Sequence, residues 1–397
     1  MKNQNKLKRV SYILLLFLLW SCQKNTDPPV AESTVPTLRI ITENKQAVTS
    51  KDTYLNATLS VENGESFSAD IEIRGRGNTT WSFPKKPFKI KLKEKAGLLG
   101  LKPEKRWVLL ANYLDPSLLQ NAVAMGIGQL LKMPYTNHMK PVNLWLNNEF
   151  LGSYTLTEQI EVKENRVNVG DDGLLLSLDT IIEPDDDYFF SSHYKLPVQI
   201  KHPEITSQAQ IDKISNEFDQ LEKRVFAADF PGNDYLKYFD AEAMANYLLV
   251  YTLTCNEEIN HPKSTYLYKT AEGKFHIGPI WDFDWAFSYE QSQVHYLNPN
   301  RPLFWNWQAV GTTFFGRIAA DPAVKSLFKE KWQTFRQQDF NKLLSFVDKY
   351  ADEIKESRRE DFKKWGRGSS DFETEKENMK DWLTARAVYI DELVADY

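Results

Sequence analysis

The apolar residues of this chain change period part-way along it, and that change restricts the possible folds more than any other feature. From Leu38 to Lys201 they alternate with polar residues at the period of a strand, whereas after Ser207 they recur at the spacing of a helix. Residues 38–41, 54–61, 69–74 and 88–92 read as strands of an antiparallel sheet, broken by turn residues such as Asn63-Gly64. One amphipathic helix over 117–131 interrupts them, with Asp115-Pro116 as its start signal. Residues 142–146 and 150–156 flank Asn147-Asn148 as a hairpin, and short strands follow at 173–178 and 196–201. Helices are expected over 209–228 and 241–254, then a hairpin over 264–269 and 275–280, then helix from about residue 314 onward. The expected fold class is α+β, with a sheet-rich N-terminal lobe over 38–206, a helical C-terminal lobe over 207–397 carrying an embedded β hairpin, and a cleft between them.

Composition narrows the class further. Of 397 residues, 26 % are charged and 42 % hydrophobic, which excludes a disordered, collagen-like or polytopic membrane chain. The 11 Trp point to large cores and ligand-facing clefts. With a formal charge of −5 and both signs interspersed, there is no basic stripe for nucleic acid. Two Cys exclude a disulfide framework and a cysteine-rich zinc site, and 6 His show no metal-ligand spacing. Any chemistry must come from oxygen and nitrogen groups.

At the N-terminus, Lys2, Lys6, Lys8 and Arg9 precede the apolar run of residues 13–20, which is too short to span a bilayer and is built like a secretory signal. Ser21-Cys22 follows and is similar to the lipobox of bacterial lipoproteins, with Cys22 as the acylated first residue. Residues 1–21 are therefore expected to leave as a signal peptide and residues 22–37 to form a flexible tether. The protein is expected in the bacterial cell envelope, membrane-anchored through lipidated Cys22 outside the cytoplasm. Losing four cations with the signal takes the net charge from −5 to −9. Cys255, within an apolar helical pattern, reads as core.

Three stretches could carry chemistry. In Arg74-Gly75-Arg76-Gly77-Asn78-Thr79-Thr80-Trp81, glycines between arginines after a strand let backbone N–H groups and cationic side chains converge on an anion such as phosphate. The stretch fits neither the Walker nor the dinucleotide-binding spacing, and a hairpin turn with solvated basic residues would look the same. Trp281-Asp282-Phe283-Asp284 puts two carboxylates among aromatics, an arrangement that calls for a cation: Mg²⁺ or an Arg or Lys partner. Asn256-Glu257-Glu258-Ile259-Asn260-His261-Pro262-Lys263 gathers acids, amides and a lysine on a loop between a helix and the hairpin leading to Asp282.

The first stretch, continued by Pro84-Lys85-Lys86-Pro87-Phe88, and Trp281-Asp282-Phe283-Asp284 resemble the hallmark segments of the CotH (spore coat protein H) family, over roughly residues 38–287. The resemblance implies a bilobal atypical protein-kinase-like fold that binds ATP and Mg²⁺ or Mn²⁺ between its lobes. It implies phosphate transfer to Ser or Thr hydroxyls of protein substrates, the kinase itself among them. On kinase logic Arg74, Gly75, Arg76 and Gly77 cover the phosphates, and Lys86, Lys89 or Lys91 contacts them. Asp282 and Asp284 hold metal with Asn256, and Glu258 is the catalytic acid, with Glu257 and Asn256 next in line. Glu158 could lie at the hinge. The sequence departs from ordinary kinases at the catalytic loop, which lacks His-Arg-Asp, and at Gln120, where relatives show Arg. The alternative is a non-catalytic surface lipoprotein, either a pseudokinase or a module binding a glycan or protein partner through Trp81, Trp145, Trp281, Trp285, Trp305 and Trp307.

Overall fold

The computed structural model describes residues 34–183, 186–290 and 293–397. The expected signal peptide and Cys22 lie outside them. Of the stretch expected as a tether, Val35 is already fully buried and Thr37 opens the first strand. No helix among the described residues is long and apolar enough to cross a membrane.

The alternating first half forms β1 (Thr37–Thr42), β2 (Leu55–Glu62), β3 (Phe67–Gly75), β4 (Phe88–Ala96), β5 (Glu104–Leu110), β6 (Lys140–Leu146) and β7 (Glu149–Glu158). These strands pair antiparallel with their neighbours, as expected, apart from β1 with β6. They close into a barrel in the order β1-β2-β3-β4-β5-β7-β6, sealed by a parallel pairing of β1 with β6. Closure follows from the alternation: Leu38, Ile40, Leu59, Ile71, Ile73, Ile90, Leu109, Leu144 and Leu156 all point inward and are buried in one cluster, leaving no apolar face for an open sheet to cover. Asn147 and Asn148, at φ 52° and 70°, turn the β6–β7 hairpin in the left-handed geometry that matches strand twist.

The second sheet has the order β12-β11-β8-β10-β9, from β8 (Leu174–Leu178), β9 (Tyr188–Phe190), β10 (Pro197–His202), β11 (Thr265–Lys269) and β12 (His276–Ile277). The hairpin expected inside the helical half therefore pairs with strands of the first half, and the boundary drawn at 206/207 runs through this sheet. The physical reason is β8, whose five residues are all buried and need a paired neighbour on each side.

Helices α1 (Thr79–Ser82), α2 (Gln120–Leu130), α3 (Gln208–Phe226), α4 (Ala241–Thr254), α5 (Arg317–Ala319), α6 (Pro322–Gln338), α7 (Phe340–Trp365) and α8 (Phe372–Ala395) complete the chain. Helix α4 is apolar nearly all round and sits in the larger core, packed by α2, α6 and α8. Helix α7 lies along β7 of the barrel and against α2 and α8.

The join between barrel and α7 is a buried ion pair. Lys85 Nζ lies 2.6 Å from Asp361 Oδ1 and donates to the Ser153 carbonyl at 2.6 Å, while Ser153 N–H donates to the same Asp361 oxygen at 2.8 Å. Both ions are within a few per cent of full burial. Burial pushes the Lys85 ammonium down and Asp361 opposes the shift. Gly152, at φ +116°, makes room, since a Cβ there would stand 2.2 Å from the Asp361 oxygen. Asp361→Ala, which strands Lys85 as an unpaired buried cation, should cost about 3–5 kcal/mol. The double replacement Lys85→Met/Asp361→Leu should recover most of that loss in chemical denaturation, and strictly additive losses would show that the two side chains act independently.

Candidate active site

A recess of about 840 Å³, counting its open mouth, receives side chains from both halves of the sequence. Arg76 and Gly77 enter from the turn after β3, Thr79 and Thr80 from α1, Asn112 from the turn after β5 and Asn121 from α2. Asp179 comes from the end of β8, Glu258 and Lys263 from the loop after α4, and Asp282 and Asp284 from the segment after β12.

The two aspartates are aimed by their backbone. Asp282 has φ +62°, a left-handed conformation that costs a non-glycine residue about 1 kcal/mol. It is held there on both sides. The Asp282 carbonyl accepts from Asn256 Nδ2 at 3.0 Å, and the next N–H, of buried Phe283, donates to Asn121 Oδ1 at 3.1 Å. Asn121 Nδ2 in turn donates to Asp284 Oδ1 at 2.8 Å. Ser264 Oγ donates to Asp282 Oδ2 at 3.3 Å, and Ser264 N–H to Asp179 Oδ2 at 3.2 Å. Lys263 Nζ lies 3.3 Å from Glu258 Oε1 and 4.2 Å from the centre of the Trp285 ring.

Negative charge is in excess at the back of this recess. Burial, with the Asp282 charge adding to it, pushes the Asp284 carboxyl up to about 7. Burial and then Asp282 also hold Glu258 well above the ordinary carboxylate range, against the pull of Lys263, and Asp179 is raised in the same way. Arg76 is the opposing cation: burial lowers its guanidinium, while Asp282 and Asp284 favour its charge. Its guanidinium carbon sits 5.6 Å from the Trp281 ring centre. Among the described residues no three His, Cys, Asp or Glu side chains form a ready metal cage. Asp282 and Asp284 as a pair suit Mg²⁺, which keeps waters and is commonly held by one or two carboxylates plus phosphate oxygens. The raised Asp284 carboxyl is a group that a cation would relieve.

The model of a known protein family, described as CotH kinase protein, matches residues 73–390. The chain belongs to the CotH kinase family. The match starts at the arginine-glycine turn and continues through Asp282 and Asp284 almost to the end of α8, so it includes the C-terminal helices beyond the span that the motifs covered. No curated protein matches the chain.

The structure brings together only part of what the CotH motifs suggest. Arg76, Gly77, Glu258, Asp282 and Asp284 share the recess. Arg74 instead packs over the Tyr54 ring, outside it. Gly75 is a close-approach residue, since a Cβ there would fall 2.3 Å from Trp81. The N–H groups of Gly75 and Arg76 are spent on the Ser50 and Pro87 carbonyls, so they do not converge on an anion. Lys86 Nζ donates to the Trp81 carbonyl at 2.6 Å, and Lys91 pairs with Glu72 at 2.7 Å. Lys89 stands on the outer barrel face, across the β3–β4 pairing from Arg74. Asn256 does not line the recess, and its amide serves backbone at both ends, accepting from Glu258 N–H at 3.2 Å as well as bonding Asp282. It braces the site. Glu257 pairs with Arg301 at 2.6 Å, and Glu158 pairs with His138 beside a separate recess. Gln120 donates to the Tyr296 hydroxyl at 3.5 Å, while its neighbour Asn121 does the work on the aspartates.

Sequence reasoning missed several residues of the recess, Asn112 among them. Lys85 lines it while paired to Asp361, Asn121 joins the two aspartates, and Asp179 faces Ser264. For Asp179 a signal existed, an acid directly after an uninterrupted apolar strand.

Lys89 gives a measurable test of the barrel's outer face. Burial, then the charges of Arg74 and Arg106, lower its ammonium from 10.5 to about 8. Between those values the unfolded chain binds a proton that the folded chain sheds, so this group's contribution makes stability rise with pH across that window and level off below pH 8. In ¹³C-methylated protein one lysine resonance should titrate near pH 8 and be missing from Lys89→Met, whose stability gain over wild type should be full at pH 7 and fade toward pH 10. A Lys89 resonance that titrates above pH 10 would contradict the geometry.

Proposed function

We propose that this recess binds ATP with Mg²⁺ or Mn²⁺ and that the protein is an atypical kinase transferring phosphate to Ser or Thr hydroxyls of a protein substrate, its own chain included. The observation that carries this reading is the meeting, in one recess, of a cationic turn with four acids drawn from elements far apart in sequence. Phosphoryl transfer asks the protein mainly for positioning and for neutralisation of charge. Arg76 and the turn through Thr80 face where phosphate oxygens would lie. Asp282 and Asp284 would hold the metal, which shields the phosphates when bound. As the hydroxyl oxygen attacks the terminal phosphorus, the bond to the bridging oxygen breaks, ADP leaves, and Glu258 receives the hydroxyl proton. Lys263 keeps Glu258 oriented and eases its ionisation. The barrel and the second sheet with its helices stand for the two lobes of the kinase-like fold. The placement we propose, anchored in the cell envelope through acylated Cys22, requires a nucleotide source outside the cytoplasm.

A second reading, partner or glycan binding without transfer, is favoured by the tryptophans left in solvent. Trp285 at the recess, Trp305 and Trp307 are 37 %, 47 % and 59 % exposed.

Thermal-shift and radiolabel-transfer measurements separate the two. ATP with Mg²⁺ or Mn²⁺ should raise the melting temperature of the wild type, and Asp282→Ala should abolish both the shift and the transfer. Glu258→Gln should keep the shift and lose transfer by at least about a hundredfold. A wild-type protein without any ATP-dependent shift ends the kinase reading, and a shift without transfer makes it a pseudokinase.

A further inference from the structure

A second recess is larger than the one described above. It measures about 1440 Å³ with its open mouth and lies between the loop that precedes β5, the end of α2 and the loop after β7. Asn121 lines the first recess and Gln129 the second, so the two open at opposite ends of α2, separated by about 12 Å at 1.5 Å rise per residue.

Its lining carries an arginine with no direct ion-pair partner among the described residues. Arg166 is 7 % exposed, yet its Nε and Nη2 are buried without a hydrogen-bond partner. Only Nη1 is used, donating to the Asn165 carbonyl at 3.2 Å. The guanidinium carbon lies over buried Trp107, 4.6 Å from the ring centre. The acids whose charge reaches it are Glu158, Glu104 and Glu161, and each is already committed. Glu158 pairs with His138 at 2.7 Å, Glu104 with Lys95 at 3.2 Å and Glu161 with Arg106 at 2.6 Å. Nor does the loop need this side chain for its shape, because backbone bonds from Arg166 N–H to the Lys163 carbonyl and from Val167 N–H to the Glu161 carbonyl hold the turn. The ammonium groups of Lys102, Lys132 and Lys140, on the same lining, have no hydrogen-bond or ion-pair partner among the described residues. With Glu158 and Glu164 as its acids, the lining has four cations against two anions, on a chain whose net charge is −5.

Nε and Nη2 form the side-on edge of a guanidinium, the pair of parallel donors that matches two oxygens of a carboxylate or phosphate, and because both atoms are closed to solvent an anion reaches them only when the side chains beside Arg166 move aside. A buried cation left unpaired is costly, and an incoming oxyanion would remove that cost. We infer that this recess is a second binding site, for a small anion bearing a phosphate or carboxylate group, gripped by the Arg166 edge and drawn in by Lys102, Lys132 and Lys140.

Isothermal titration calorimetry on the full chain, at low ionic strength and without divalent metal or nucleotide, tests this independently of the kinase reading. Orthophosphate and succinate are the probes. Saturable binding of at least one is expected, weakened at least tenfold in Arg166→Met and in Lys132→Gln/Lys140→Gln, and unchanged in Asp282→Asn. The tighter probe names the anion class. Without anion, Arg166→Met should melt at or above the wild-type temperature, since it removes an unpaired buried charge; if it fails to fold, the double lysine variant decides. The inference is overturned if neither probe saturates, if both sets of variants bind as tightly as wild type, or if only Asp282→Asn changes the affinity.

Discussion

The pairing of Lys85 with Asp361 is the interaction on which the rest of the molecule hangs. Burying either ion alone would cost several kcal/mol, a large share of what a typical domain has in reserve. Together they bridge the turn before β4, the β7 backbone at Ser153 and the C-terminal part of α7. That bridge sets where α7 crosses the barrel, and further contacts along the helix follow the same line. Ser357 Oγ donates to Asn143 Oδ1 at 2.6 Å, and Trp365 Nε1 to the Leu151 carbonyl at 2.8 Å. Because Lys85 also lines the recess, the wall that carries Arg76 is tied to the C-terminal helices through a charge.

The electrostatics of the recess share one logic. Four acids are brought close by backbone constraints, above all the left-handed Asp282 and the double hydrogen bond of Asn121. Arg76 and Lys263 offset part of their repulsion. Burial first, and then the repulsion that remains, leaves carboxyls that hold their protons more firmly than they would in water. A site prepared in this way stores repulsion that a cationic ligand would release, which is how a protein keeps a binding position open at the expense of its own stability.

Local pattern made most of the strands and helices legible, because burial enforces period two in a strand and 3.6 in a helix. The β6–β7 hairpin was readable from Asn147-Asn148, and α4 from its apolar run. Closure of the barrel was not, since the parallel contact of β1 with β6 leaves no local mark. The alternation in β4 correctly put Phe88, Ile90 and Leu92 inside and Lys89 and Lys91 outside. Outside the barrel is not the same as inside the recess, however, and Lys91 meets Glu72 there. Lys85 was hidden for a different reason. It sits between prolines in an irregular turn, and its partner lies on α7 in a stretch that reads as a charged helix face. Pairing over such sequence distances is set by tertiary packing, which a single sequence does not display.

The reach of α7 back to the barrel also bears on how incomplete chains fare. Every residue that lines the recess lies before position 286, yet the countercharge of Lys85 arrives only at position 361. A chain that stops short of α7 would carry the complete recess lining around an unneutralised ammonium and an uncovered barrel flank. Such a fragment would therefore be less stable than the whole chain and more often open to proteases.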